Sequence, residues 1–256
     1  MPDPLAIIPS YVRTPDDVEI LMTTLRTLRE TEPLLEVLVV DDASPYDEGL
    51  EQLGAAAIEQ GFQLHRRSKN EGFAKTVNVG LRHALERDMD AVLVNADIEF
   101  EQPWLYPFQA DDADLMGALL LYPDGTIQHA GVYFSRLLRV FDHRFRHGPG
   151  DLLEAREPQD CIVTAALQYI RLGTLHTVGV YDETFQMGYE DVDYCLRVFQ
   201  AGLRCRYVPA VTAIHHESVF RGRPSPKVDD WQKRSFMRLV AKWPQAEMLK
   251  YAVPLV

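Results

Sequence analysis

Short apolar runs alternate with amphipathic stretches along the first hundred residues. The runs LAIIPS, VLVV and DAVLV are apolar at consecutive positions, which is typical of strands buried on both faces. Between them, TPDDVEILMTTLRTLRE, GLEQLGAAAIEQG and FAKTVNVGLRHALERD place apolar residues at helical spacing, and FQLHRRS indicates a further short strand. This alternation predicts an α/β protein whose mostly parallel central sheet is flanked by helices.

The ends of these elements carry their own signals. Thr14 followed by Pro15 is the pattern of an N-cap and first helical position, and Gly61 is placed to close the second helix. Pro9 ends the first apolar run, so we expect the first strand to leave the sheet there.

The pattern changes from about residue 115. Strand-like pieces flank the turn PDG at residues 123–125, and residues 139–158 show no periodicity, which predicts a loop. Residues 161–179 indicate a strand and a short helix, residues 189–201 a helix closed by Gly202, and the remainder a last strand and an amphipathic C-terminal helix. The chain shows no linker, so we expect one domain over residues 1–256, with halves at about 1–114 and 115–224 and a helical segment at 225–256.

Composition and charge narrow the function classes. The 256 residues are 46% hydrophobic and 25% charged, and the net charge of −12 argues against non-specific binding to nucleic acid or an anionic membrane. The N-terminus lacks the pattern of a signal peptide, and no apolar run approaches the ~20 residues of a membrane span. The three cysteines form no metal-binding spacing. We therefore expect a cytoplasmic protein with reduced thiols, Cys195 lying in a helix core.

Acidic residues follow two of the predicted strands. Asp41 and Asp42 end VLVVDD, and Asn95-Ala96-Asp97 follow the strand DAVLV. Ligands of parallel sheets bind outside the carboxyl ends of the strands, so both groups should lie on one edge. The alternative for each is an aspartate that only begins a turn or caps a helix.

A third acidic group, in GYEDVDYC, combines Glu190, Asp191 and Asp193. It fits a helix start, where the helix dipole favours acids, and it equally fits a reaction site that needs an ionised carboxylate. Asp193 lies four residues before Arg197, which predicts a structural ion pair within the helix.

The segments VVDDAS, NEGFAKTVNVG, LVNADIEF, GYEDVDYCLRV and AIHHESVFRG stand in the order found in the family 2 glycosyltransferases. The resemblance runs from about residue 5 to residue 223, and YPDGTIQHAG is similar to a stretch of bacterial members that build surface polysaccharides. It implies the GT-A fold and transfer of a sugar from a UDP- or dTDP-sugar to a carbohydrate or other hydroxyl acceptor with inversion.

The resemblance also implies a divalent metal, Mn²⁺ or Mg²⁺, which would stabilise the diphosphate leaving group. Asn95-Ala96-Asp97 occupies the place of the family's DxD motif, with Asn in the first position, so Asp97 is the one carboxylate ligand expected. His215 is the second expected ligand, with His216 as the alternative. The guanidinium groups of Arg221 and Arg223 either contact the diphosphate or are solvated surface charges.

Nucleotide contacts are implied for Asn95 and Ala96, at the DxD position, and at two further places. Either Asp41 or Asp42 would accept a hydrogen bond from a pyrimidine base, and Pro9 and Tyr11 would line the base and ribose pocket. Tyr11 would stack on the base or cover the core edge. A further set matches a segment that borders the nucleotide: Arg67, Asn70 and Gly72, of which Gly72 is also compatible with an ordinary loop.

Asp191 is implied as the base that removes the acceptor hydroxyl proton, and Glu190 would orient the acceptor or Asp191. The QxxRW motif of processive relatives is missing, which favours transfer of one sugar per binding event. The apolar residues of the C-terminal helix should pack on the domain, with membrane-surface contact as the weaker alternative: Trp231, Phe236, Leu239, Val240 and Trp243.

Two rival functions remain. A nucleotidyltransferase shares the sheet and the acids at strand ends, but IIPSYVRTPDD lacks the glycine-rich phosphate loop usual in that class. A catalytically silent module that binds nucleotide sugars is compatible with the Asn95 departure. The sugar, the acceptor and the oligomeric state are not fixed by the sequence.

Overall fold

A computed structural model of the chain describes residues 3–135, 140–185, 187–216 and 226–244, together with Met248 and Lys250. Side chains are described within these ranges except at residues 135, 140 and 226–229. None of the described helices is long and apolar enough to cross a bilayer.

The elements follow the alternation that the sequence predicts. The described strands are β1 (Leu5–Ser10), β2 (Glu36–Asp41), β3 (Gln63–Arg66), β4 (Ala91–Val94), β5 (Ile98–Glu99), β6 (Leu115–Leu121), β7 (Ile127–His129), β8 (Val132–Ser135), β9 (Val140–His143), β10 (Gln159–Asp160), β11 (Leu167–Ile170) and β12 (Cys205–His215). The described helices are α1 (Pro15–Thr31), α2 (Asp47–Gln60), α3 (Phe73–Glu86), α4 (Leu105–Ala110), α5 (Leu172–Val178), α6 (Glu190–Gln200) and α7 (Pro226–Lys242).

One mixed sheet has the order β10-β12-β6-β11-β4-β1-β2-β3. The strands β4, β1, β2 and β3 pair in parallel, as their two-sided apolar character predicts. Strand β11 runs antiparallel between β4 and β6, and β6 pairs in parallel with β12. The sheet therefore joins a parallel half to a mixed half, with a hydrophobic core on each face.

Helix ends agree with the predicted signals. The Thr14 hydroxyl accepts a hydrogen bond from Asp17 N, with Pro15 at the start of α1, and Gly61 closes α2 at a φ of 67°. Gly202, just beyond α6, also has a positive φ of 77°.

Two local predictions are wrong. Strand β1 continues through Pro9, which pairs with Val40 of β2; this is tolerated because β4 pairs with β1 only as far as Ile7. Residues 139–158 are not simply a loop, since β9 pairs with β8 in a hairpin and a 3₁₀ turn covers Leu153–Arg156. Short strands of this kind depend on a partner, which a single segment does not reveal.

The C-terminal helix packs on the domain, as expected. Leu239 and Trp243 are buried, whereas Val240 is 43% exposed, so Val240 does not belong to the packed face. Asp193 of α6 binds the end of the C-terminal helix α7. Its buried carboxylate pairs with Arg197 at 3.0 Å and accepts hydrogen bonds from Lys242 and from Trp243 Nε1. The predicted Asp193–Arg197 pair is confirmed, and it belongs to a larger structural contact.

Candidate active site

The polar strand ends meet at the carboxyl edge of the parallel half. Strands β2, β1 and β4 are successive neighbours, and they end at Asp41, Ser10 and Val94. Asp42 N donates to Ser10 O at 2.9 Å, and Asn95 N donates to Ala166 O at 2.8 Å. Backbone hydrogen bonds therefore link Asp42 to the end of β1, and Asn95 to the loop that precedes β11.

Asp41 is fully buried and bonded within its own turn. Its carboxylate accepts hydrogen bonds from the hydroxyl and the backbone N–H of Ser44, and Arg66 lies 3.6 Å away. The Ser44 hydroxyl in turn accepts from Val12 N at 2.7 Å. Asp41 thus ties the end of β2 to the end of β1.

Asp42 lies beside it, 5% exposed, in a second network. It accepts hydrogen bonds from the Arg67 guanidinium and from the backbone N–H groups of Glu71 and Gly72, the latter at 2.9 Å. Arg67 also contacts Glu71 at 2.6 Å and Thr76 at 3.1 Å. Gly72, at a φ of 94°, begins α3. The structure therefore brings Asp42, Arg67 and Gly72 together.

The other residues predicted near the nucleotide surround this network less closely. Pro9 and Tyr11 are half-buried at the end of β1, and the Arg13 guanidinium lies 6.0 Å from the centre of the Tyr11 ring. Asn70 is exposed, two residues before Gly72. Arg221 and Arg223 lie outside the described residues.

Asp97 and His215 converge on one point at the other end of this edge. Asp97 is 4% exposed and His215 is 8% exposed, and Asp97 Oδ1 lies 3.0 Å from His215 Nε2. Despite this distance, Asp97 Oδ1 accepts no hydrogen bond from the described residues. Neighbouring ligands of an octahedral ion with bonds of about 2.1 Å are separated by about 3.0 Å. The pair therefore fits two adjacent ligands of one cation.

Asn95 adds a further oxygen to this region. Its side-chain Oδ1 is buried and finds no hydrogen-bond partner among the described residues. The loop around it is held from behind, because the hydroxyl of Thr24 in α1 donates to Ala96 O at 2.9 Å. A fixed loop that presents buried oxygens without partners is suited to a ligand that supplies the missing contacts.

His215 and His216 face different partners. His215 Nδ1 lies 2.6 Å from Gln128 Oε1, whereas His216 Nε2 lies 3.0 Å from Glu99 Oε2. Only His215 is paired with Asp97. In the part of the chain that the structure describes, no three His, Cys, Asp or Glu side chains are grouped to hold a metal ion. Any ion here needs ligands from a bound molecule or water.

Asp191 lies in the first turn of α6, which begins abruptly. Gly188 and Tyr189 both have positive φ, 78° and 67°, so the chain turns sharply before Glu190. Asp191 Oδ1 accepts from Val192 N at 2.8 Å, and Oδ2 accepts from Ala165 N at 3.3 Å. Both Glu190 and Asp191 are half-buried. Two backbone N–H groups thus fix the orientation of the Asp191 carboxylate.

Residues 163–166 connect the acidic groups. Ala165 N contacts Asp191, and Ala166 O contacts Asn95 N next to Asp97. His129 supports this loop from beneath, since its Nε2 accepts from Thr164 N at 3.5 Å and from Gly131 N at 3.3 Å. Asp191 and Asn95, which lies two residues before Asp97, are therefore both hydrogen-bonded to the same short loop.

Burial sets the chemistry of His129. Burial lowers the pKa of its imidazole well below the ordinary value, and the neighbouring His143 and His215 lower it further. His129 is thus a neutral structural group whose Nδ1 lies 2.7 Å from His143 Nδ1.

Sequence reasoning missed Thr24, Gln128 and His129. Thr24 carries no signal, because its role depends on contact with a loop that lies 72 positions away. Gln128 and His129 do stand in a stretch that resembles bacterial family members, YPDGTIQHAG, but the sequence does not say what they contact.

Known proteins share this arrangement of strands and motifs. Residues 5–116 match the model of glycosyl transferase family 2. The Sinorhizobium fredii protein y4gI is 29% identical over 231 residues, which are 84% of this chain and 25% of that protein. The O-antigen biosynthesis protein RfbC of Myxococcus xanthus is 30% identical over 152 residues, 55% of this chain and 12% of RfbC. The chain thus spans a quarter or less of these two relatives.

The structure of GalNAc-T7 with UDP, GalNAc and Mn²⁺ has the same fold. It superimposes with a TM-score of 0.72 over 96% of this chain and 49% of that one, at 17% sequence identity. The strand order, the match to the family model and this superposition agree with the predicted fold class. Residues 5–116 are thus similar to glycosyl transferase family 2, and the chain has a GT-A fold.

Proposed function

We propose that the chain is an inverting glycosyltransferase that moves one sugar from a UDP- or dTDP-sugar to an acceptor hydroxyl. The observation that carries this proposal is that one loop, residues 165–166, is hydrogen-bonded both to Asp191 and to Asn95, two residues before the Asp97 that pairs with His215. Asp97 and His215 would act at the leaving diphosphate, and Asp191 would act at the attacking hydroxyl.

Asp97 and His215 would hold a divalent cation, Mn²⁺ or Mg²⁺. Their convergence at 3.0 Å without a hydrogen bond, and their mixed oxygen and nitrogen donors, support this assignment. When bound, the ion would neutralise charge that develops on the diphosphate as the glycosidic bond breaks. The related fold of GalNAc-T7, crystallised with UDP and Mn²⁺, agrees with this choice of metal and donor.

Asp191 would accept the proton of the acceptor hydroxyl as its oxygen attacks the anomeric carbon. The Ala165 N–H holds the carboxylate in place at the start of α6. Glu190, beside it and half-buried, would orient the acceptor or Asp191.

Asp42, rather than Asp41, would read the nucleotide base. Asp41 is completely buried and occupied by Ser44, whereas Asp42 keeps 5% exposure beside Arg67. Pro9, Tyr11 and Gly72 would line the nucleoside, with Asn70 at its border.

A carbohydrate of the bacterial surface is the acceptor class that the relatives favour, since RfbC is named for O-antigen biosynthesis. Transfer would occur at the cytoplasmic side and one sugar at a time, the latter favoured by the missing QxxRW motif. The Arg221 and Arg223 side chains would contact the diphosphate.

The decisive variant is Asp191→Asn. It keeps the size of the side chain but removes the base, so turnover should fall by about 10²–10⁴-fold while the donor still raises the melting temperature. Asp16→Asn is the matched control, because Asp16 is an exposed acid in the first turn of α1. Normal turnover by Asp191→Asn would exclude this residue as the base.

Two measurements complete the test. A thermal-shift screen of UDP-, dTDP- and GDP-sugars with and without Mn²⁺ identifies the donor. Proton NMR of the first product reports its anomeric configuration, and retention would contradict the inverting mechanism. Donor binding with neither hydrolysis nor transfer would instead identify a silent binding module.

A further inference from the structure

We propose that Gln128 is a positioning residue that selects the tautomer of His215, and so keeps His215 Nε2 available for a cation. This inference rests on the metal assignment of the proposed function. Gln128 lies in the middle of β7 and is 4% exposed. Of the predicted metal ligands, it is hydrogen-bonded to His215 and not to Asp97 in the part of the chain that the structure describes.

Gln128 contacts His215 at both ends of its amide. Its Oε1 lies 2.6 Å from His215 Nδ1, and its amide NH₂ faces the backbone carbonyl of the same residue at 3.5 Å. The carbonyl of His215 can only accept, so it fixes which end of the amide faces the ring. Gln128 Oε1 is then an acceptor, and Nδ1 must carry the proton.

A neutral imidazole has one ring proton, and two groups compete for it. Gln128 Oε1 is placed to accept it from Nδ1, and Asp97 Oδ1 is 3.0 Å from Nε2. The contact between Gln128 Oε1 and His215 Nδ1 is short, whereas Asp97 Oδ1 accepts no hydrogen bond from the described residues. The geometry therefore assigns the proton to Nδ1 and leaves a lone pair on Nε2.

Loss of Gln128 would reverse this competition. Without an acceptor at Nδ1, the neutral ring gains most by carrying its proton on Nε2 and donating it to the Asp97 carboxylate. An internal His215–Asp97 hydrogen bond would then occupy both atoms that the cation needs. The expected result is a folded protein in which Asp97 and His215 are bonded to each other and do not bind a cation.

Three proteins test this: the wild type, Gln128→Met and Gln128→Glu. Methionine has a similar length but no strong acceptor, whereas a glutamate carboxylate still accepts from Nδ1. Tyr169→Phe is the matched stability control, because it removes a partly buried hydrogen bond to Asp90, which lies just before the N-terminal end of β4.

The first measurement is the tautomer in the metal-free proteins at pH 8, by long-range ¹H–¹⁵N correlation of the imidazoles. At this pH the ordinary imidazole is neutral. His215 should be Nδ1-protonated in the wild type, Gln128→Glu and Tyr169→Phe, and Nε2-protonated in Gln128→Met. His215→Ala identifies the signals.

The second measurement is Mn²⁺ affinity, by electron paramagnetic resonance of the free ion. Gln128→Met should bind Mn²⁺ about 10–100-fold more weakly, the usual effect of removing a group that orients a metal-binding histidine. Gln128→Glu and Tyr169→Phe should bind as the wild type does.

The outcomes separate the two proposals. An Nε2-protonated His215 in the wild type, or an unchanged tautomer and Mn²⁺ affinity in Gln128→Met, overturns the role of Gln128 alone. A wild type that binds no Mn²⁺, or that binds it equally after His215→Ala, contradicts the metal site of the proposed function. The wild-type tautomer decides the inference even if Gln128→Met does not fold.

Discussion

The acids after β2 and the acid after β4 occupy equivalent places in the sequence but differ in the folded chain. Asp41 is fully buried and accepts two hydrogen bonds from Ser44, and Asp42 accepts three from Arg67, Glu71 and Gly72. Asp97 is equally buried, yet its Oδ1 accepts no hydrogen bond from the described residues and faces His215.

This difference separates stability from function. A buried carboxylate with a full set of donors stabilises the loops that it connects, and its removal leaves those donors unpaired. A buried carboxylate without donors costs stability unless something outside the chain completes it. The hydrogen bonds at the β2 end are therefore structural, whereas the β4 end has the unsatisfied oxygen that the proposed cation site requires.

The largest expected effect is on activity, at Asp97. Asp97→Asn should lower sugar transfer with Mn²⁺ by at least about 100-fold, because one of two protein ligands loses its charge and the ion stabilises the transition state by several kcal/mol. The free energy of unfolding, measured in urea, should change by less than about 1 kcal/mol. If Asp97→Asn is destabilised but still transfers sugar at the normal rate, Asp97 is a structural residue and not a metal ligand.

Asp41→Asn should show the opposite behaviour. An amide at this position can no longer accept from both Ser44 donors, so the free energy of unfolding should fall by about 2 kcal/mol. The turnover of the folded fraction should stay close to that of the wild type. Urea unfolding and initial rates on the same preparation measure the free energy of unfolding and the turnover. A large loss of turnover without a loss of stability would place Asp41 in the donor site.

His129, behind the ligand site, should make stability depend on pH. Its pKa is lowered in the folded state, so the unfolded chain takes up the proton first, and stability is lost as pH falls below the unfolded value near 6.5. Between pH 7.5 and 5.5 this group should remove about 1.4 kcal/mol from the free energy of unfolding. Urea titrations of the wild type and His129→Gln check it: the difference between their pH slopes should have this size, and equal slopes would contradict it.

The smallest effect is expected at Thr24. Thr24→Val keeps the shape of the side chain but removes the hydroxyl that binds Ala96 O, at a cost of about 1 kcal/mol in the free energy of unfolding. Because the loop of residues 95–97 loses its support, Mn²⁺ binding should weaken several-fold. Thr23→Val is the control, since the Thr23 hydroxyl bonds only to Glu19 O within α1 among the hydrogen bonds described. Equal Mn²⁺ affinity in both variants would show that the loop does not depend on Thr24.

Much of the fold could be predicted because its signals are local. Two-sided apolar runs, helical spacing and the Thr14-Pro15 and Gly61 signals gave the parallel half with its helices, since each depends on residues close in sequence. The β8–β9 hairpin and the path of β1 through Pro9 could not be predicted, because they depend on which strands become neighbours.

The candidate site divides in the same way. Asp97, His215 and Asp191 were expected from the residue types at strand and helix ends and from a resemblance to a family. The supports of these residues were not, since Thr24, Gln128 and His129 act on partners that are distant in the chain: Ala96, His215 and Thr164.

The sequence alone determined the class of fold, the acids at the strand ends and the resemblance to a family, because these follow from local pattern and from the order of short motifs. Only the tertiary structure decided which acids are already satisfied and which are left without donors. Hydrogen-bond satisfaction is a property of groups brought together by folding, often across many tens of residues, so no single segment could reveal it.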